Sequence, residues 1–469
     1  MSALDTDVAI IGAGPAGMAA AMELSARGIA VTVFDENPAP GGQIYRAVDA
    51  VAQERPETAR LLGADYLHGR TLTAAFPAPA IDYRPSAAVW QVEGDGSLGF
   101  TQDGRARVMR ARFVVVATGA LERPVPVPGW TLPGVMTAGA GQLALKTADL
   151  VPDGPVVLAG AGPLLLLVAG QLADAGAPIA AVLETTRPAD YLAAAPFLPR
   201  ALRAPEYLKK GLAMRARLRR AGVPVIGGVE SFAVEGDTSA RAVTYVRRGR
   251  PFRIEADLVL LHLGVVPNTQ ITRQAGCAHD WYAPQRYWRP RTDGWGRTSI
   301  GSLFVAGDGA AIDGALAAEC SGRLCALEIA HTLGRLEKGK RDAAAEPIRR
   351  SFTRHTAPRA MLDALFRPPR ALIAPAQDDV LVCRCEEITV GTIRKAIEVG
   401  CLGPNQLKSY ARPGMGPCQG RMCGLTVAEV IAAERGVPVS EVGYFRIRPP
   451  IKPLTIGELA ALEDAGGAE

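Results

Sequence analysis

The sequence predicts an α/β protein in which two dinucleotide-binding, Rossmann-like domains precede a small α-rich domain that carries cysteines. Three observations carry that expectation. A glycine turn between a strand and a helix opens the chain at Gly12, Gly14 and Gly17. The same grammar recurs at Gly160 and Gly162. Five of the eight cysteines, Cys383, Cys385, Cys401, Cys418 and Cys423, crowd toward the C-terminal end.

At ~100–200 residues per domain, 469 residues suggest about three domains. Hydrophobic residues at 48%, charged residues at 21% and 51 glycines describe a turn-rich globular chain rather than a disordered or fibrous one. A net charge of +5 with dispersed arginines argues against a nucleic-acid partner. Met1 to Asp7 lacks the basic region and apolar run of a signal peptide, so a cytoplasmic protein is expected. Its thiols should then be reduced or bound to metal rather than paired as disulfides. Val156 to Gly170 carries no charged residue, but it falls short of the ~20 apolar residues a bilayer needs and contains Gly160, Gly162 and Pro163. It reads as a buried strand, turn and helix start, and no membrane span is expected.

In chain order, strand Val8 to Ile11, the glycine turn, helix Gly17 to Arg27 and strand Ala30 to Phe34 make one βαβ entry. No element is assigned in 48–110. Phe113 to Ala117 is a short apolar strand ending in Thr118-Gly119, and the Pro-rich stretch Arg123 to Pro133 is a connection. Strand Val156 to Ala159, helix Leu164 to Ala175 and strand Ile179 to Leu183, ending in Glu184, form the second unit. Strands Leu258 to Leu263 and Leu303 to Ala306, then a helix from about Ala315 to Thr332, should return the chain to the first domain. The expected division is 1–120 with 285–333, then 121–284, a helical linker 334–377, a cysteine domain 378–437 and a tail 438–469. The prolines of that tail suit packing on a neighbour better than one helix.

At the first turn Gly12 permits the tight bend, Gly14 lets the backbone approach a pyrophosphate, and Gly17 lets helix and strand pack closely. The helix start, with Pro15 and Ala16, offers free N–H groups to phosphates, and Asp35 at the end of the next strand would accept from ribose hydroxyls. FAD and NAD both suit such a motif, and three later features favour FAD: Gly41-Gly42-Gln43, Ala117-Thr118-Gly119 and Gly307-Asp308. Over residues 5–330 this combination resembles the two-dinucleotide-fold flavoprotein disulfide reductase superfamily. The resemblance implies that Asp308 contacts the ribityl and pyrophosphate region and that the following helix points its N-terminus toward the flavin ring.

At the second turn Gly160 and Gly162 are followed by Leu165 where a third glycine would stand, and a leucine there should reshape the packing of helix and strand. Glu184 still supplies a ribose acceptor. An NADH site, an adenine nucleotide site (ATP or NAD) without redox use, and a vestigial fold all remain open. No cysteine precedes Cys277, so the dithiol relay of that superfamily is absent and electrons need another carrier. No residue is singled out as catalytic, and the scattered Cys320 and Cys325 read as core.

Cys383-Arg-Cys385 and Cys418 to Cys423, a C-x-C and a C-x4-C, can place four thiolates at a tetrahedral zinc or a [2Fe–2S] cluster, and spacing alone does not decide. Gly414, Gly416, Gly420 and Gly424 thin the side chains around the second pair and free backbone N–H groups for the sulfurs. Leu381 to Ala428 resembles the bacterioferritin-associated-ferredoxin-like [2Fe–2S] domain, with C-x4-C where that family often has C-x2-C. Cys401 reads as a small core residue.

The strings Gly41 to Arg46, Gly160 to Gly170 and Gly414 to Gly424 resemble the alpha subunits of hetero-oligomeric amino acid dehydrogenases, over nearly the full length. Members include D-hydroxyproline and L-proline dehydrogenases, octopine and nopaline oxidases, and hydrogen cyanide synthase. The resemblance implies an electron-transfer subunit with FAD and a [2Fe–2S] cluster on Cys383, Cys385, Cys418 and Cys423. It further implies a beta subunit similar to glycine and D-amino acid oxidases, where the C–N bond of the substrate is oxidised. Some members also hold FMN at a subunit boundary and a small ferredoxin-like [2Fe–2S] subunit, and their complexes can sit peripherally on the inner membrane. The alternatives are a self-contained NADH-dependent reductase and a non-redox scaffolding subunit.

Overall fold

The computed structural model describes residues 5–462; Met1 to Leu4 of the N-terminal stretch and 463–469 of the tail lie outside the described residues. Strand Thr6–Ile11 runs parallel between Val31–Phe34 and the long strand Arg105–Val116, and Ile81–Arg84 extends the sheet past Val31–Phe34. Leu303–Val305 pairs in parallel with the far side of Arg105–Val116, which brings the chain back after its excursion through the second sheet. Val8, Ile10, Val33, Val115 and Phe304 are all buried, as strands covered on both faces require. Helix Pro15–Ser25 and helix Ala315–Thr332 cross so closely that a Cβ on Gly322 would lie 2.1 Å from the Ala16 carbonyl oxygen.

The stretch 48–110, left without elements above, contains helices Val48–Glu54, Pro56–Leu62 and Gly69–Ala75 and an antiparallel meander. Ala88–Val92, Ser97–Gln102 and the first half of Arg105–Val116 make that meander. Its pattern was masked because Gly99, in mid-strand, makes room for a bulky neighbour: a Cβ there would meet the Trp90 ring at 2.5 Å.

The second sheet is parallel in the order Val225–Gly227, Ile179–Glu184, Val156–Ala161, Leu258–Leu263, Val135–Thr137. A three-stranded antiparallel sheet, Val229–Glu235, Ala242–Arg247 and Arg250–Glu255, lies beside it. The two chain crossings between the sheets, Ala120–Glu122 and Val265–Pro267, pair antiparallel with each other.

Helices Lys338–Thr356, Arg359–Leu365 and Arg370–Ile373 lead to a short hairpin, Leu381–Cys383 with Ile388–Thr389. Helices Val390–Glu398, Pro404–Ala411 and Gly424–Arg435 follow. Their core of Val382, Ile393, Leu407, Val427 and Ile431 also takes Phe445, Ile447 and Ile451 from the tail. The tail therefore packs on its own chain, where packing on a neighbour was expected, and the Ile451 N–H donates to the Trp90 carbonyl at 2.9 Å. No described helix is long and apolar enough to cross a membrane.

Candidate functional site

The glycines of the first turn are there because side chains would not fit. A Cβ on Gly12, whose φ is +106°, would lie 2.5 Å from the Ala117 carbonyl oxygen, and one on Gly17 would lie 1.9 Å from that of Gly12. Gly14 faces Gly42, and the Gly41 N–H donates to the Ala13 carbonyl at 2.8 Å, so the loop 41–43 folds over the turn. Helix Pro15–Ser25 starts with Pro15 and without a side-chain cap, which leaves its first N–H groups for a ligand. Asp35 is buried; one carboxylate oxygen accepts from the Ala13 N–H at 2.6 Å and the other from the Asn37 N–H at 2.8 Å.

Thr118 and Gly119 close the opposite wall, and the Thr118 hydroxyl is buried without a hydrogen-bond partner. Gly307 abuts Ala16, and Gly309 comes up against Gly119. Gly12 against Ala117, Gly14 against Gly42 and Gly307 against Ala16 thus bring bare backbone together around the turn, beside the orphaned Thr118 hydroxyl, and this setting fits a flavin dinucleotide. Asp308 works on the turn above it, accepting from the Asp313 and Gly314 N–H groups at 3.0 Å each just before helix Ala315–Thr332. Burial pushes its carboxyl up and those two bonds pull it down. The Gln43 side chain is exposed, so its contribution here is its carbonyl.

That carbonyl has a partner sequence reasoning missed. Lys146, buried on helix Ala138–Ala148, donates from Nζ to the Gln43 carbonyl at 3.3 Å and the Ile44 carbonyl at 3.0 Å. Burial, with Arg46 nearby, pushes its pKa down to about 8. A single lysine among the alanines and leucines of that helix is the only trace it leaves in sequence.

In the second unit, Gly160 at φ +140° lies against the His262 backbone and Gly162 against its imidazole. His262 pairs through Nδ1 with Glu122. Leu165 is fully buried and fills the space a third glycine would leave open. Glu184 is buried, but both its oxygens accept from the Arg215 guanidinium at 2.9 Å each. Arg215 comes from helix Pro205–Arg220, too far along the chain for its role to show in the sequence. A ribose would have to compete with this bidentate pair.

Cys383 ends its strand and is buried, Cys423 is buried just before helix Gly424–Arg435, Cys418 is half-buried and Cys385 is exposed. The four thiols lie close together, Cys383 beside Cys423 and Cys385 beside Cys418, with Cys383 also near Cys385 and Cys418 near Cys423. The Cys423 thiol holds Cys383 down to about 6, helped by the Gly414 N–H, while Cys423 itself is pushed up by Cys383 and by burial. Desolvation pushes the Cys385 thiol up, and the charge of Cys418 adds to it.

Not all four glycines serve the sulfurs, as had been expected. Gly414 does, and Gly416 makes room for Cys385, whose Cβ would lie 2.3 Å from an added Cβ. Gly420 and Gly424 instead admit the tail: added Cβ atoms would lie 2.7 Å from Phe445 and 2.3 Å from the Tyr444 hydroxyl. Among the described residues no three His, Cys, Asp or Glu side chains close on a single metal position. Cys401, Cys320 and Cys325 are buried in the core.

The two sites are joined. The Asn268 N–H donates to the Gly119 carbonyl at 3.0 Å, the Gln270 N–H to Asn268 Oδ1 at 3.4 Å, and Gln270 Nε2 to the Gln419 carbonyl at 2.9 Å. Arg286 holds the buried Glu429 at 2.7 Å, and Trp130 Nε1 donates to the Leu381 carbonyl at 2.7 Å. Beyond the 307–313 turn opens a cleft of about 480 Å³ lined by Arg289, Arg291, Trp295, Asp313 and Arg349 among others.

Residues 6–331 match the family described as pyridine nucleotide-disulphide oxidoreductase, and residues 378–463 match the sarcosine oxidase A3 domain. The chain is 47% identical over 464 residues to the opine oxidase A subunit of Rhizobium meliloti, covering 97% of this chain and 87% of that one. It is 34% identical over 465 residues to hydrogen cyanide synthase subunit HcnB of Pseudomonas aeruginosa, covering 95% and 96%. Its fold is similar to the crystal structure of L-proline dehydrogenase from P. horikoshii, with a TM-score of 0.70 over 97% of this chain and 79% of that one at 20% identity.

Proposed function

Since the chain belongs to the pyridine nucleotide-disulphide oxidoreductase family, together with the opine oxidase A subunits and HcnB, we propose that it is the electron-transfer subunit of a hetero-oligomeric dehydrogenase acting on an amino acid or opine. It is an FAD oxidoreductase subunit. The C–N bond is oxidised in a partner subunit similar to glycine or D-amino acid oxidases, and electrons pass through this chain's flavin to its cysteine site.

The observation that carries this reading is the hydrogen-bonded run from Gly119 through Asn268 and Gln270 to the Cys418–Cys423 loop. Gly12, Gly14, Gly17, Asp35, Gly42, Thr118, Gly119 and Gly307 hold the FAD, and Asp308 fixes the turn that aims helix Ala315–Thr332 at it. Four thiols gathered close together suit a two-iron cluster with two thiolates per metal. When bound, the two groups supply two-electron and one-electron chemistry respectively. The residues around them bind, orient and exclude water.

In the second unit the Glu184–Arg215 pair argues against NADH as donor and for an adenine nucleotide without redox use, or none. The cleft beside 307–313 has the arginines and the volume for an FMN.

The test is to replace Cys383, Cys385, Cys418 and Cys423 with serine in the purified complex. Expected are retained FAD, lost iron, and loss of electron delivery to an external acceptor while the partner flavin is still reduced by substrate. Unchanged turnover with an external acceptor would sink the proposal.

A further inference from the structure

Arg273 is a half-buried cation with no counter-charge among the described residues. It lies on the short helix Gln270–Gln274, which follows the Val265–Pro267 crossing and reaches the cysteine loop through Gln270. Its guanidinium sits 4.2 Å from the Tyr444 ring centroid and 5.3 Å from that of Trp288. Nε donates to Thr269 Oγ1 at 3.2 Å, and Nη2 is enclosed without a hydrogen-bond partner. No carboxylate among the described residues forms an ion pair with it. Desolvation lowers its pKa to about 10, which still leaves it charged at neutral pH.

An enclosed, unpaired guanidinium is costly, and aromatic faces compensate it only in part. Arg286, half-buried at the same interface, has Glu429. What lies beyond the Tyr444 ring is the loop between Cys418 and Cys423: the Tyr444 hydroxyl donates to the Gly420 carbonyl at 3.3 Å and packs on Gly424. From the same short helix, Gln270 Nε2 reaches the Gln419 carbonyl at 2.9 Å. Arg273 is therefore one aromatic ring from the cysteine loop.

We infer that Arg273 is a potential-setting residue, its positive charge balancing the negative charge of the four-thiolate site across the Tyr444 ring. The inference rests on the reading of Cys383, Cys385, Cys418 and Cys423 as ligands of an iron–sulfur cluster. Reduction adds one electron, drawn from the reduced flavin, and so one unit of negative charge. A fixed cation nearby in a low-dielectric interior favours that state. Arg273 neither ligates nor touches the sulfurs; it acts through space.

The experiment is an EPR-monitored redox titration of the purified protein as wild type, Arg273→Met and Arg273→Lys, with iron and flavin assayed on each sample. Arg273→Met should keep its iron and flavin and become harder to reduce, by about tenfold in the reduced-to-oxidised ratio at a fixed ambient potential, or ~59 mV for a one-electron couple. Arg273→Lys should stay within about threefold of wild type. An Arg273→Met potential equal to wild type overturns the inference and leaves the cluster reading standing. So does a lysine variant shifted as far as the methionine one, because packing and not charge is then at work. Iron lost only from the variants overturns it in favour of a folding role. Wild type without iron removes the cluster reading and this inference with it.

Discussion

Single residues decide whether the first groove can exist. Gly17→Ala would set a Cβ about where the Gly12 carbonyl oxygen already lies, at 1.9 Å, so helix Pro15–Ser25 must move off its strand. We expect FAD to be lost on purification and the fold to be destabilised by about 1–3 kcal/mol, read from flavin content and denaturant unfolding. Gly17 was legible because its reason is local: the motif, strand and helix lie within a few residues of each other. Lys146, Arg215 and Arg273 were not, because their partners are set by tertiary approach.

Lys146 also makes a pH prediction. Its folded pKa of about 8 lies below the ordinary lysine value, so between about 8 and 10.5 the unfolded chain binds more protons and its contribution to stability rises with pH. Below about 8 the full cost of burying the charge is present. The stability difference between wild type and Lys146→Met should therefore shift in favour of wild type from pH 8 to pH 10 in urea unfolding. A difference flat with pH would refute the assignment.

Secondary-structure elements carry the next level. The central parallel strands of both nucleotide units were readable as short apolar runs ending in glycine or an acidic residue, whereas the parallel strands Ile81–Arg84, Val135–Thr137 and Val225–Gly227 were not. The antiparallel strands were not, since Arg250–Glu255 is mostly exposed and Ser97–Gln102 carries Gly99. The second unit shows how an element far along the chain changes a motif's meaning, because helix Pro205–Arg220 delivers Arg215 onto Glu184. NADH added anaerobically in excess should leave the flavin's visible absorbance unchanged; bleaching would show that the pair opens and would restore the NADH-dependent reading. Where the cysteine hairpin meets the second sheet, Trp130→Phe removes the bond to the Leu381 carbonyl at a cost of about 1 kcal/mol. Faster iron release to a chelator, with flavin retained, is the expected sign that the hairpin has loosened.

Over the whole molecule the order of parts was legible: first nucleotide unit, second unit, return, helical connection, cysteines. Their docking was not. The Arg286–Glu429 pair, the Gln270 bonds and the tail with Tyr444, Phe445 and Ile451 join the cysteine domain to the flavin side, and each spans a separation no local pattern records. The tail also reaches the neighbourhood of Asp35, since Lys452 pairs with Glu36 beside it. On the proposed reading these contacts hold both ends of an electron path in one chain, and a partner subunit supplies the substrate chemistry.

The most direct test of that path is an anaerobic reductive titration of the purified chain followed by EPR, with FAD, iron and zinc determined on the same sample. One FAD with roughly two irons per chain, and a reduced [2Fe–2S] signal that grows as the flavin is titrated, is the result predicted. Zinc without iron, or iron that stays oxidised after the flavin is fully reduced, would contradict it.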